Sequence, residues 1–285
     1  MASFKVEDQK ISTVFPDGSF KVKSAQENDV ITEMKAFADS FVPDSSVSDF
    51  KFITNGLFGF TSFEAVRHFE DIDFTYPEKE EKKVPDMHYF VFQNIIAINH
   101  FKNELYLFEH QCEGSGNSVV PIEQLMDLVK ATATSSASFK RVGEEQSNFT
   151  DESFLEVIAK AKAHCRRGDV FQLVLSRQFQ QKFKGDEFNV YRALRSINPS
   201  PYLFYFDYGS FKLMGSSPEA QIKINAGKAT INPIAGTFRR TGDMAQDIKL
   251  GKLLSEDEKE TAEHVMLVDL ARNDLSKHAE EVSVA

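Results

Sequence analysis

Tyr202-Leu203-Phe204-Tyr205-Phe206-Asp207-Tyr208, then Gly209-Ser210, then Phe211-Lys212-Leu213-Met214-Gly215, is the stretch that decides the fold. Two apolar, β-prone runs separated by two turn residues predict an antiparallel hairpin. A second hairpin is expected just beyond it, with Ala220–Ile224 and Ala229–Asn232 joined across Ala226-Gly227. Toward the N-terminus, Thr150 is placed to N-cap a helix with Asp151 and Glu152 in its first turn. Phe154, Ile158, Ala161 and Cys165 mark its apolar stripe, and Gly168 ends it. Phe171, Leu173, Leu175 and Phe179 then alternate as one face of a strand, with Gln172, Val174 and Ser176 on the other. A short helix is expected from Asp186. Toward the C-terminus, Ser255-x-x-Glu258 reads as a capping box opening a long helix. Antiparallel strands with interspersed helices define an α+β class, and no Gly-rich strand-to-helix turn suggests a nucleotide fold.

The first 150 residues carry fewer signals. Met1–Val6 runs straight into strand-like alternation, and Phe50–Phe60 reads as strand, turn and strand around Asn55-Gly56 and Gly59. Met87–Ala97 and Glu104–Phe108 are expected as strands of one sheet. Glu78–Lys83 is a solvated charge run. Gly114-Ser115-Gly116-Asn117-Ser118 lacks the Lys-Ser/Thr of a phosphate loop and reads as a plain loop. Ala131–Ala137 reads as a linker, and the domain boundary is expected at 147/148, giving regions 1–147 and 148–285.

Composition narrows the function. A formal net charge of −10 disfavours nucleic acid or an anionic membrane as the main partner. No apolar run reaches the ~18 residues of a membrane span, and nothing resembles a signal peptide. Two cysteines, Cys112 and Cys165, do not make a disulfide framework. A reducing, cytoplasmic setting is the expectation.

Three constellations can carry chemistry. On the long helix Glu260 and Glu263 share a face with His264 beside them. Such a carboxylate pair suits Mg²⁺, yet read alone it is first of all an acidic first turn that favours the helix dipole. The apolar run Val265–Val268 with Leu270 argues for a buried helix, where carboxylates need partners. Ser216-Ser217-Pro218-Glu219 closes an apolar strand, so Glu219 is either a general acid or an ordinary turn residue. In Pro233-Ile234-Ala235-Gly236-Thr237, Gly236 admits a ligand to the backbone and Thr237 offers a hydroxyl. Arg239 and Arg240 supply positive charge for an acidic substrate, or are simply surface arginines.

Taken together, the sequence resembles the chorismate-utilising enzymes. The resemblance is carried by Gly168-Asp169-Val170-Phe171-Gln172-Leu173-Val174-Leu175-Ser176, Asn198-Pro199-Ser200-Pro201-Tyr202, Gly215–Glu219, Pro233–Thr237 and Glu260–Asp274, in that order. It is strong after Asn148 and weaker before, where Gly56–Phe60 with Val66-Arg67 looks like the family's glycine-rich strand and following helix. It implies antiparallel sheets packed as a sandwich with helices outside.

Within the family, isochorismate-forming members carry a Lys where Gln172 stands, and aminodeoxychorismate synthases commonly carry one where Ala235 stands. Gln172 with Ala235 therefore looks like the branch that forms anthranilate and pyruvate from chorismate and ammonia, the ammonia coming from a glutaminase partner. The resemblance implies Mg²⁺ held by Glu263 with Glu260 in support. It implies substrate contacts from Gly236, Thr237 and Gln172, with Glu219 and Thr237 catalytic. Asn198, Pro201, Tyr202 and Leu203 match the segment that binds tryptophan as feedback inhibitor. Family members begin with a Leu-Leu-Glu-Ser segment and continue past the position of Ala285 with further active-site groups, so an internal, inactive piece is expected. The competing expectations are a sister synthase of the family and a non-catalytic β-rich binding domain.

Overall fold

The alternation at the start of the chain forms β1 (Ala2–Glu7), in which Ala2, Phe4 and Val6 are buried while Ser3, Lys5 and Glu7 face outward. In this computed structural model, which describes residues 1–26, 29–42, 53–72, 84–112, 120–131 and 138–284, β1 is a central strand. It pairs with β2 (Lys10–Val14), which pairs with β3 (Phe20–Ser24). Helix α1 (Val30–Asp39) is capped by the Asp29 side chain, which accepts from the amides of Ile31 and Thr32. Its Phe37 ring lies 5.7 Å from Phe4 and 5.6 Å from Phe15, closing the core over the sheet. Strand β4 (Phe58–Thr61) and a 3₁₀ helix (Phe63–His68) follow, and β4 pairs with β5 (Met87–Val91) on the far side of β1. The buried Asp86 carboxylate fastens this helix to the sheet, receiving Arg67 at 2.6 and 2.8 Å and meeting His68 Nε2 at 2.9 Å.

β6 (Asn94–Asn99) and β7 (Glu104–Glu109) form a hairpin of their own, with α2 (Ile122–Lys130) after it. Met87–Ala97 is thus broken between two sheets, because β5 spends its hydrogen bonds on β1 and β4. Phe50–Phe52, Glu78–Lys83, Gly114–Ser118 and residues 132–137 of the expected linker lie outside the described residues.

The chain divides into two units, Met1–Thr134 and Ser135–Ala285. In the second, β8 (Phe139–Ser147) leads to α3 (Asp151–Arg167), capped by Thr150 and ended by Gly168 in the left-handed region at φ 79°. β8 pairs with β9 (Phe179–Gly185), so 139–147 belongs with this unit. Then come α4 (Phe188–Ile197), β10 (Tyr202–Asp207), β11 (Lys212–Ser217), β12 (Lys223–Asn225) and β13 (Lys228–Thr230). The unit ends with α5 (Met244–Glu256) and α6 (Glu258–Ser276). Among the described residues every strand pairing is antiparallel, in keeping with the α+β class. No described residue of the second unit is fully buried.

Several local expectations change. Residues 172–178 form no strand, and Phe171 is exposed, because among the described residues no strand pairs with them. Cys165 is exposed rather than part of a core. The long helix opens at Asp257, whose side chain accepts from the Glu260 amide at 2.9 Å, while Ser255 donates to the Lys252 carbonyl within α5. Nor is α6 buried: Val265 and Leu270 are more than half exposed.

Candidate functional site

The hairpin read from Gly209-Ser210 forms in register Tyr202↔Ser217, Leu203↔Ser216 and Phe204↔Gly215. That register sets Asn198–Leu203 against the strand end that leads to Glu219. Ser216 Oγ donates to the Asn198 carbonyl at 2.5 Å. Ser217 Oγ donates to the Glu219 carbonyl at 2.8 Å and accepts its amide at 3.3 Å, fixing the turn around Pro218. Glu219 is partly buried. The Lys223 ammonium stands 5.1 Å from the centre of the Tyr202 ring, within cation–π range. Two segments with different expected roles are therefore one piece of structure.

A second grouping joins the Pro233–Thr237 turn to α6. A Cβ added at Gly236 would collide with the Glu260 carboxylate, so the turn's bare backbone is in contact with that side chain. Glu260 keeps one-fifth of its side chain exposed and pairs with the outward-facing Lys259 at 3.4 Å. A pair with so exposed a lysine is weak, leaving the carboxylate available. Glu263 is partly buried, and His264 and Thr237 are exposed. The donors Glu260 and Glu263 are hard oxygens, and two carboxylates completed by water or substrate are the usual protein share of a Mg²⁺ site. Among the described residues no group of three or more His, Cys, Asp or Glu gathers around one point. The pair thus fits Mg²⁺ as part of a ligand set.

Gln172 lies exposed on the 172–178 segment, and no hydrogen bond among the described residues ties it or Glu219 to Gly236, Glu260 or Glu263. That segment has an anchor the sequence reading passed over. Arg177 donates to Ser147 Oγ at 2.8 Å, Asp151 at 2.6 Å and the Phe149 carbonyl at 2.7 Å. Its guanidinium also lies 4.7 Å from the Phe179 ring centre. A lone arginine in an apolar run was the available signal. A cleft of about 710 Å³ opens between residues 238–242 and α5, lined by neither Glu219, Gly236, Glu260 nor Glu263.

A family model described as chorismate binding enzyme matches residues 4–285, and the chain belongs to that family. Among its relatives, anthranilate synthase component 1 of Aquifex aeolicus is 33% identical over 311 residues, covering 99% of this chain and 58% of the relative. The Bacillus subtilis protein of the same name is 44% identical over 168 residues, covering 58% of this chain and 33% of the relative. The crystal structure of anthranilate synthase component I from Streptococcus pneumoniae TIGR4 superposes with a TM-score of 0.76 at 28% identity. It covers 98% of this chain and 60% of that one. The chain thus spans a little over half the length of the Aquifex relative. Among the described residues no helix is long and apolar enough to cross a membrane.

Proposed function

We propose that this chain is the chorismate-binding part of an anthranilate synthase large subunit, acting in tryptophan biosynthesis in the cytoplasm. The observation that carries the proposal is the contact of the Gly236 backbone with the Glu260 carboxylate, which joins a ligand-approach turn to an acidic helix. The unit Ser135–Ala285 is the catalytic side of this reading and Met1–Thr134 the regulatory side.

In the overall reaction chorismate and ammonia give anthranilate, pyruvate and water. Ammonia, delivered by a glutamine amidotransferase subunit, forms a C–N bond at the ring carbon beside the carboxylate, and the ring hydroxyl leaves. Glu219 gives its proton to that hydroxyl, which departs as water. The ring C–H proton beside the new amine is then lost as the ring C–O bond to the enolpyruvyl group breaks, which makes the ring aromatic, and the released enol takes up a proton on its methylene carbon to become pyruvate. Gly236 lets the substrate approach the backbone, while Thr237 supplies a hydroxyl that holds the substrate or the incoming amine. Gln172 takes the place where a lysine would activate water. Glu263 would hold Mg²⁺ directly, with Glu260 supporting it. When bound, the metal supplies positive charge that orients the ring carboxylate and draws electron density from it. Tryptophan binds at Asn198, Pro201, Tyr202 and Leu203. The serine bond from Ser216 to Asn198 gives that segment a direct mechanical link to the Glu219 turn.

The test is a chimera in which this chain replaces the matched stretch of the Aquifex relative, supplied with chorismate, ammonium and Mg²⁺. Anthranilate identified by mass supports the assignment, and isochorismate or aminodeoxychorismate as main product defeats it. The 285-residue chain alone, which covers 58% of the Aquifex relative, is expected to show no turnover.

A further inference from the structure

The cleft between residues 238–242 and α5 has its own chemistry. Its volume of about 710 Å³ lies in the range of small-molecule sites. From the loop it takes Phe238, Arg239 and Arg240, and from α5 Met244, Ile248 and Leu254. Phe238, Met244 and Ile248 are 40%, 80% and 65% exposed. Neither arginine makes a hydrogen bond or ion pair among the described residues. Asp247 is the carboxylate of the lining, and the loop already engages it. The Thr241 amide and hydroxyl donate to it at 2.7 and 2.9 Å. Those bonds, with the charge of Arg240 as a smaller contribution, hold its carboxyl below the usual range. Asp247 thus braces the loop against α5 and offsets part of the charge of Arg240, and the two arginines leave the lining net positive over an apolar floor.

We propose that this cleft is a binding site for small carboxylates that carry an apolar ring. The carboxylate pairs with Arg239 and Arg240, a charge-assisted contact, while the ring covers the exposed side chains of α5. In sequence the cleft lies between Gly236 and Glu260. An occupant bridging the loop and α5 therefore restrains both segments leading to that contact. The proposal does not depend on chorismate chemistry.

3-Phenylpropionate titrated into the ¹⁵N-labelled 285-residue chain, with 3-phenylpropanol as the neutral match, tests it. The expected result is saturable amide shifts confined to 238–254, with the acid bound at least about tenfold tighter than the alcohol. Raised salt should shrink that preference. Arg239→Gln with Arg240→Gln should abolish it. Ile248→Glu, which keeps both arginines and adds a negative charge to the floor, should weaken the acid selectively. Equal affinity for acid and alcohol, shifts spread beyond 238–254, or no saturable shift in the millimolar range would overturn the proposal. Because no arm uses chorismate, failure here is separate from failure of the anthranilate assignment.

Discussion

The Glu260 carboxylate rests against the α-carbon of Gly236, in the space a side chain at 236 would need. The colliding atoms belong to the far end of a flexible side chain, so the glycine protects the position of the carboxylate more than the backbone. Gly236→Ala should therefore leave the fold intact, with a thermal midpoint within about 2 °C of the parent. It should still push Glu260 aside. In the chimera anthranilate formation should fall on the order of 100-fold, the scale of a small misplacement at a reacting centre. Parent-like turnover in the alanine variant would show that the contact has no part in the chemistry.

Glu263 and Glu260 should respond differently to Mg²⁺. Loss of a supporting group costs about 10–100-fold in metal affinity or activity, and loss of a direct ligand costs more. Glu263→Gln should be the worse variant, and added Mg²⁺ should rescue Glu260→Gln more readily. A Mg²⁺ titration of anthranilate fluorescence in the chimera reads both midpoints. If both variants keep the parent's midpoint and rate, the pair is only a charged helix start.

The first unit depends on one aromatic centre. Phe4 is fully buried and meets Phe37 at 5.7 Å. Phe4→Ala should destabilise this unit by about 3–5 kcal/mol through lost burial and an incompletely collapsed cavity. Hydrogen exchange of the β1, β2 and β5 amides follows that unit by itself. Unchanged protection would mean that the core is not centred there.

His88, on β5, should make the first unit sensitive to mild acid. Burial, aided by the charge of Lys5, lowers its pKa below the ordinary 6.5. Below that value the unfolded chain takes up a proton that the folded chain resists. Stability therefore falls as pH drops from 6.5 through the lower folded value, and is retained above it. His88→Phe keeps a ring beside Phe90, whose centre is 4.5 Å away, and removes the titration. Its denaturation midpoint should fall less than the parent's between neutral and mildly acidic pH. Equal falls in both proteins would assign the acid sensitivity to other groups.

What the sequence determined by itself is what a few neighbouring residues can enforce. Thr150 and Gly168 bound α3 because capping and a left-handed turn are chemistry within one helical turn. The β10–β11 hairpin follows from two apolar runs around Gly209-Ser210, and the motif order from Gly168 to Asp274 carries the family. Only the tertiary structure decided the rest, because the deciding partner is distant in sequence. Residues 172–178 have strand alternation, yet a strand exists only where another backbone takes its hydrogen bonds. The apolar composition of α6 suggested burial, but burial depends on what packs against it, and Val265 and Leu270 remain open. Gly236 and Glu260 are separate motifs until the intervening loop and α5 return the chain on itself, and their contact is a product of that return.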